Sequence, residues 1–440
     1  MAFPETDGSV VTAEYGTAEP AVELERRALS KVAWRFVPIL TVGFLLNHLD
    51  RNNVGFAALT MNRDIGLSAT QFGIGAGILF IGYCFCEVPS TLVQYRIGAR
   101  AWLSRIMITW GLVSAAMIFV TGAKSWYLLR FVLGAAEAGF FPGVTFFLSS
   151  WFPARYRARI LAWFLVAIPA SSVLGGPLSG LLLGMNGMGG LAGWKWLFLL
   201  EGLPAVLVGI CLPWFLADRP DAARWLTAEE RRFVEARILG ERREREVRRL
   251  LPAMKDARVL ILGGIFFGFT VGTWGIGIWL PQIIKTGHMS DLKVGFVTAA
   301  CYIVASMGMI LWAIHLDKSG RRITNLVLAC LVSAAGLLFA MLTRNFWLSL
   351  VWVTVALVGI NAARAIFWVI PTRFLTGVAA AGGLAFINSI GTTGGFVGPA
   401  MMGWLKDLTG SFNAGLLAMS GFLIAATVLA GSLKWVVTEE

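Results

Sequence analysis

The sequence predicts an all-α membrane protein of 12 transmembrane helices in two six-helix, pseudo-symmetric halves. Three observations carry that expectation: the composition, the length of the apolar runs, and two landmarks that recur at one spacing. Hydrophobic residues make up 57% of the 440 and charged residues only 14%, with a mean hydropathy of +0.73. A soluble domain carries roughly 25% charged residues and has no core able to absorb so much apolar surface.

Candidate spans lie near 34–58, 71–93, 101–121, 125–147, 159–183, 195–216, 258–284, 293–316, 322–342, 346–368, 379–405 and 412–436. Each approaches the roughly 20 residues that a helix needs to cross the hydrocarbon core. Residues 217–257 are the one long polar insert, with acids, bases and apolar residues at helical intervals. They read as amphipathic helices, and the basic run there could meet anionic lipid. The chain thus divides into a tail (1–33), a first six-helix half (34–216), a linker (217–257) and a second half (258–440). The landmarks support this division. The basic-Gly-basic run Arg96–Arg100 recurs at Lys318–Arg322, and Gly176-Pro177 recurs at Gly398-Pro399, both 222 residues on. Parallel repeats with a substrate site at their interface are a transporter architecture.

A net charge of +12 invites a nucleic-acid reading, but most bases sit at the ends of apolar runs, where topology places them. Basic residues follow spans 2, 4 and 8 and precede span 1, whereas the loop from Met185 to Gly193 carries no charge. Both termini are therefore expected in the cytoplasm, with the chain multi-pass in the cell inner (plasma) membrane; a monomer is expected, although no residue pattern decides it. Residues 1–30 are polar and acidic, so no signal peptide is read and span 1 is expected to act as its own insertion signal. Five cysteines without paired spacing read as small buried hydrophobes, not a disulfide framework. No metal cluster, cofactor motif or hydrolase nucleophile is read. Ile118 and Ala123 stand where a Walker A motif ending in Lys124-Ser125 needs Gly. The chain is not expected to be an enzyme.

Asp50, Arg51, Arg130 and Glu137 lie inside predicted spans. Unpaired at mid-membrane, each would cost about 2.5–3.5 kcal/mol on insertion scales, so pairing, hydration or ligand contact is required. Arg130 and Glu137 are two helical turns apart on one face, which suggests a column of alternating charge along a substrate path. A carboxylate that loses an arginine partner in a dry site takes up a proton. An anion competing for Arg51 or Arg130 would thereby link its own binding to that of a proton. In the second half, Trp274, Trp279 and Gln282, Asn361, Arg364 and Trp368, and Asn388, Ser389 and Thr392 are candidates for orienting substrate. His48 is a candidate for a proton path, and Arg364, near a helix end, for snorkelling or gating. Glu87 and Glu201 are expected to pair with loop arginines. Three Gly-x-x-x-Gly pairs, at 139, 176 and 391, permit close helix crossings, and Pro142, Pro169 and Pro281 bend spans.

The basic-Gly-basic loops resemble the signature of the major facilitator superfamily between spans 2 and 3, repeated between spans 8 and 9. Asp317 keeps its acid in the second copy, while Tyr95 replaces it in the first. The run Leu49-Asp50-Arg51-Asn52-Asn53-Val54-Gly55-Phe56-Ala57 is similar to span 1 of the anion:cation symporter family, notably its tartrate and phthalate permease branch. Glu87-Val88-Pro89, Arg130-Phe131 with Gly134 and Glu137, Gly175–Gly180, and Trp194–Pro204 extend that resemblance along nearly the whole chain. It implies the major facilitator fold, Asp50 and Glu137 as proton-coupling acids, and Arg51 and Arg130 as contacts for anion or gate. It also implies Asn388 in a substrate-facing stretch, and Arg96, Gly98, Arg100, Asp317, Lys318, Gly320 and Arg322 as conformational-switch loops. The expected function is import of a sugar acid or hydroxy-dicarboxylate such as tartrate, coupled to protons (or sodium) and working by alternating access. An aromatic-acid symporter is the alternative within transport, and a non-transporting membrane solute sensor the alternative outside it.

Overall fold

The computed structural model describes residues 18–243, 256–371 and 377–435, and these fold into helices and short connections. The first set comprises α1 (Ala18–Asp64), α2 (Ala69–Ile97), α3 (Ala99–Ala115), α4 (Ala123–Glu137) with α5 (Phe140–Ser149), α6 (Ala154–Leu165) with α7 (Ala167–Leu183), and α8 (Gly193–Phe215). A linker helix, α9 (Ala228–Arg243), precedes α10 (Ala257–Lys285), α11 (Asp291–Ser319), α12 (Arg322–Leu342), α13 (Phe346–Phe367), α14 (Gly377–Thr409) and α15 (Asn413–Ser432). Eleven segments are long and apolar enough to cross a membrane, and α14, at 33 residues, makes the twelfth crossing. The linker run 244–255 lies outside the described residues. Only Cys301 and Cys330 are the buried hydrophobes expected of the cysteines; Cys84 and Cys86 are half-buried and Cys211 is exposed.

Two predicted spans are jointed, and sequence chemistry explains where. Span 4 ends as α4 at Glu137 and restarts as α5 after Gly139, whose φ of 88° is left-handed. Pro142 offers no amide, and its ring would clash with the Ala138 carbonyl four residues back. That carbonyl instead accepts from Ser90 Oγ at 2.7 Å. A Cβ on Gly139 would lie 2.2 Å from the same hydroxyl, so glycine answers both the φ and the crowding. Pro169 stands in the same relation to Leu165, the last residue of α6. Glu137 therefore sits at a helix end, not in mid-helix.

Helices α1 to α8 pack on one another, as do α10 to α15, and the sets are joined chiefly by α2 with α14, α7 with α11, and α1 with α10. The close approaches among these pairs lie toward the end that carries the α1–α2, α7–α8 and α14–α15 turns, here the distal end. A Cβ on Gly73 would stand 2.3 Å from the Pro399 carbonyl oxygen, and one on Gly176 the same distance from that of Gly295. Trp279 donates to the Pro399 carbonyl at 3.1 Å and meets Phe72 edge-on at 5.1 Å. Asp407, after the last apolar turn of α14, accepts from the Ala69 and Thr70 amides at 3.0 and 2.7 Å. The α2 face that packs on α14 through Gly73, Gly77 and Phe80 continues into Phe85, Val88, Leu92 and Tyr95, which are 63–76% exposed. The two sets thus meet at the distal end and part toward the other, proximal, end.

The linker is fastened to the proximal end of α1. Thr227 caps α9 in a capping box with Glu230, whose fully buried carboxylate also binds Arg27 and Lys31, at 3.1 and 2.7 Å. From residue 18 on, the predicted tail is thus a continuation of the first span, with Ala28, Leu29 and Val32 buried. Burial opposes charge on Glu230, but the bonds from Lys31 and Thr227 and the nearby Arg27 outweigh it and hold the carboxyl below its ordinary value. A depressed value means stability that is present above the ordinary carboxylate range and lost as pH falls through it. Hydrogen exchange in α9, corrected for intrinsic rate, should therefore accelerate between about pH 6 and about pH 4 relative to α3. Glu230→Gln should show the faster exchange already at neutral pH. Equal exchange in both proteins across that range would refute the anchoring role.

Candidate functional site

Between the two sets, a cleft is lined from α1 by His48 and Asn52, from α7 by Ser172, from α10 by Trp274, from α11 by Tyr302 and from α13 by Asn361 and Arg364. His48 rests edge-on against Phe44 at 4.4 Å, and its Nδ1 lies 3.3 Å from the Phe44 carbonyl oxygen. Arg364 was read as a candidate for orienting substrate, for gating or for snorkelling near a helix end. It borders this cleft together with His48, in the last turn of α13.

The four charges form no single column. Arg51 donates from Nε to Glu137 Oε2 at 2.6 Å and lies 4.9 Å from the Tyr83 ring. Glu137 is fully buried, whereas Arg51 keeps 13% of its side-chain exposure, so the guanidinium is the reachable member of the pair. The joint after Glu137 aims this carboxylate across at α1. Asp50 lies near Glu137 and Arg130 but bonds to neutral groups. It accepts from Asn53 Nδ2 at 3.2 Å and from the Ser114 hydroxyl of α3, with no arginine in contact. Arg130 lies over Trp126 at 5.4 Å and donates to the Ala76 carbonyl at 3.4 Å, while its Nε and Nη1 are buried without partners. Consecutive residues on a helix point about 100° apart, so Asp50 and Arg51 bond to different partners although both lie near Glu137 and Arg130.

Glu201 does not pair with a loop arginine as expected. It is 4% exposed, accepts from Ser179 Oγ at 3.1 Å, and belongs with Asp50 in the interior of the first set. Trp274 lines the cleft, and Trp368 packs on Phe266 at 5.1 Å. Asn388 and Ser389 lie on α14, half-buried and exposed, outside the cleft wall. Trp279 serves the distal contact, and Gln282 faces a different cavity.

In the loops, Gly98 (φ 101°) ends α2 below Arg96, and Gly320 (φ 67°) ends α11 after Asp317 and Lys318, with α12 starting at Arg322. The acid missing at Tyr95 has a spatial substitute that sequence spacing did not reveal. Asp218, just past α8, accepts from the Arg100 amide at 2.9 Å and crowds Gly98. Asn52, Ser114, Ser172 and Tyr302 were also missed. Asn52 sits inside the span 1 motif and was within reach; an isolated serine or tyrosine in an apolar run carries no such signal.

Comparison with known proteins agrees with this architecture. The chain is 49% identical over 409 residues to a candidate tartrate transporter of Agrobacterium vitis, covering 92% of this chain and 91% of that one. It is 38% identical over 412 residues to a quinolone resistance transporter of Acinetobacter baumannii, covering 93% and 95%. Among solved structures, a bacterial homologue of the human lysosomal transporter Spinster, inward-facing and occupied, superposes with a TM-score of 0.73 at 16% identity over 91% of this chain and 96% of that one. The sequence profile of the Major Facilitator Superfamily matches residues 40–399, and with the twelve crossings above it shows that this chain, a multi-pass membrane transporter, belongs to the Major Facilitator Superfamily.

Proposed function

We propose that the protein imports a small organic anion, a sugar acid or hydroxy-dicarboxylate such as tartrate, together with protons by alternating access. The observation that carries this reading is the cleft between the two sets, with Arg364, His48, Asn52 and Asn361 around it and the Arg51–Glu137 pair nearby. The distribution of Lys and Arg supports a proximal end that faces the cytoplasm, with both termini there and the chain in the inner membrane. The conformation is then inward-facing. The name of the Agrobacterium relative supports the substrate class.

In this reading Arg364 attracts one carboxylate of the anion, and His48 and Asn361 orient it beside Trp274. A second carboxylate competes with Glu137 for Arg51, and the released Glu137 takes a proton in a site that water reaches poorly. The loaded carrier then carries less net charge across than the empty one. Asp50 is the second proton-coupling candidate, Arg130 holds the electrostatic balance between the two acids, and Asn388, Ser389 and Trp368 join the substrate face as the halves move. The switch loops, Arg96 to Arg100 and Asp317 to Arg322, would close the proximal end when the distal end opens.

A second reading, an aromatic acid, is favoured by Trp274 and Tyr302 in the cleft wall. Uptake by proteoliposomes with a pH-sensitive dye inside tests both. Tartrate entry with internal acidification supports the proposal, and entry of aromatic acids alone supports the second reading. Entry without acidification would sink proton coupling.

A further inference from the structure

At the distal end, beyond the Trp279–Pro399 contact, a cavity of about 720 Å³ opens among the ends of α10, α12, α13, α14 and α15, with Ala58 and Leu59 of α1 on one side. That volume falls within the ~300–1,000 Å³ of small-molecule sites. Its polar lining includes Gln282, Lys285, Arg344, Lys406 and Asn413 beside several hydroxyls, with no acid among the lining residues. Lys285 is neutralised by Asp291 at 2.6 Å. Arg344 has no ion pair among the described residues. Lys406 stands over the Phe412 ring at 4.3 Å, and the acid beside it, Asp407, is spent on the amides of α2. The Gln282 amide nitrogen is buried and without an acceptor. Arg344, without an ion pair, and Lys406, held over the Trp279 and Phe412 rings beside Asp407, therefore border one open space.

Topology does not call for these charges. The distal turns carry Arg63, Lys124, Lys195, Lys285, Lys293, Arg344 and Lys406 against Asp64, Asp291 and Asp407, an excess of cations on the face that the proposed orientation puts outside. The positive-inside tendency would leave that face poor in Lys and Arg. A positive concavity raises the local concentration of anions and speeds their encounter.

We propose that this basin is a docking site for small dicarboxylate anions, held by Arg344 and Lys406, that fills before the distal end opens. The proposal rests on the organic-anion reading for its ligand class, yet it concerns a different place in the molecule. A ligand held here would lie beside Trp279, whose edge-on contact with Phe72 of the first set parts as the distal end opens, so capture precedes admission to the cleft.

Phenylglyoxal modification of Arg344 in the full-length reconstituted protein, followed by peptide mass spectrometry, tests binding without transport. Tartrate should slow the modification several-fold where sodium chloride of equal ionic strength does not. Lys406→Gln should raise the tartrate concentration needed for the same protection. Equal protection by tartrate and chloride, or protection indifferent to Lys406→Gln, would overturn the proposal. In uptake assays Arg344→Gln should raise KM and flatten its dependence on salt while leaving kcat in place; unchanged KM and salt dependence would count against the basin. Protection of Arg344 in a protein that carries no tartrate would refute the import reading and support the basin. Uptake without protection would do the reverse.

Discussion

Replacing Glu137 by Gln, or Arg51 by Gln, is expected to abolish substrate-driven proton entry and to lower stability, whereas the double replacement should restore stability without restoring transport. The pair is short, 2.6 Å, and one partner is fully buried. Removing one member of such a pair leaves the other as an uncompensated buried charge, which costs about 3–5 kcal/mol. Removing both leaves two amides that can bond to each other, a nearly neutral exchange. Thermal unfolding in detergent would show two destabilised single variants and a recovered double variant. If the pair were only structural, the double variant would regain transport together with stability, and the coupling proposal would fall.

Asp50 gives the contrast. Its donors are neutral, Asn53 and Ser114, so Asp50→Asn exchanges one hydrogen-bonding group for another without stranding an arginine in contact. Asp50→Asn should therefore keep most of the stability that either single variant at the pair loses. A similar loss of stability at Asp50 would mean that Arg130, whose contacts are long, depends on Asp50 for compensation.

The fold was legible because its causes are local and one-dimensional. Apolar runs fix the crossings, basic loops suggest orientation, and the recurrence at 222 residues announces two related sets. The joints at 138–139 and 166 were legible in part, since Pro142 and Pro169 were read as bends without the position of the break. The site was harder. Asp50, Arg51, Arg130 and Glu137 stood out as intramembrane charges, but which acid meets which arginine depends on helix rotation and on the joint after Glu137. Spacing along one helix says nothing of that. Asp218 and Asp407 were invisible for a related reason: each acts on the amides of a helix start far away in sequence, where no side-chain motif records the partner. Arg364 stands in the last turn of α13, as read, but that depth alone does not tell a cleft residue from a snorkelling one.

Asp407→Ala is expected to shift the protein toward a distally open state. Its carboxylate accepts from two consecutive amides at the first turn of α2, the positive end of that helix dipole, and so ties α14 of one set to α2 of the other. Capping bonds to a charged acceptor contribute about 1.5–3 kcal/mol when sheltered, but Asp407 is exposed and water screens it, so a net of about 1–2 kcal/mol is the reasonable expectation. That is a factor of roughly 5–30 in the ratio of closed to open forms. Spin labels on Met188→Cys and Ser411→Cys, in a background with Cys211 replaced by Ser, report the separation of the two sets at the distal end. The alanine variant should add a longer-distance population; Asp407→Asn, which keeps an acceptor but loses the charge, should add less of it. The size of the difference between them measures how much of the latch is electrostatic. Identical distance distributions in all three proteins would mean that the close crossings at Gly73 and Gly176 hold the distal end alone, with Asp407 serving only to cap α2.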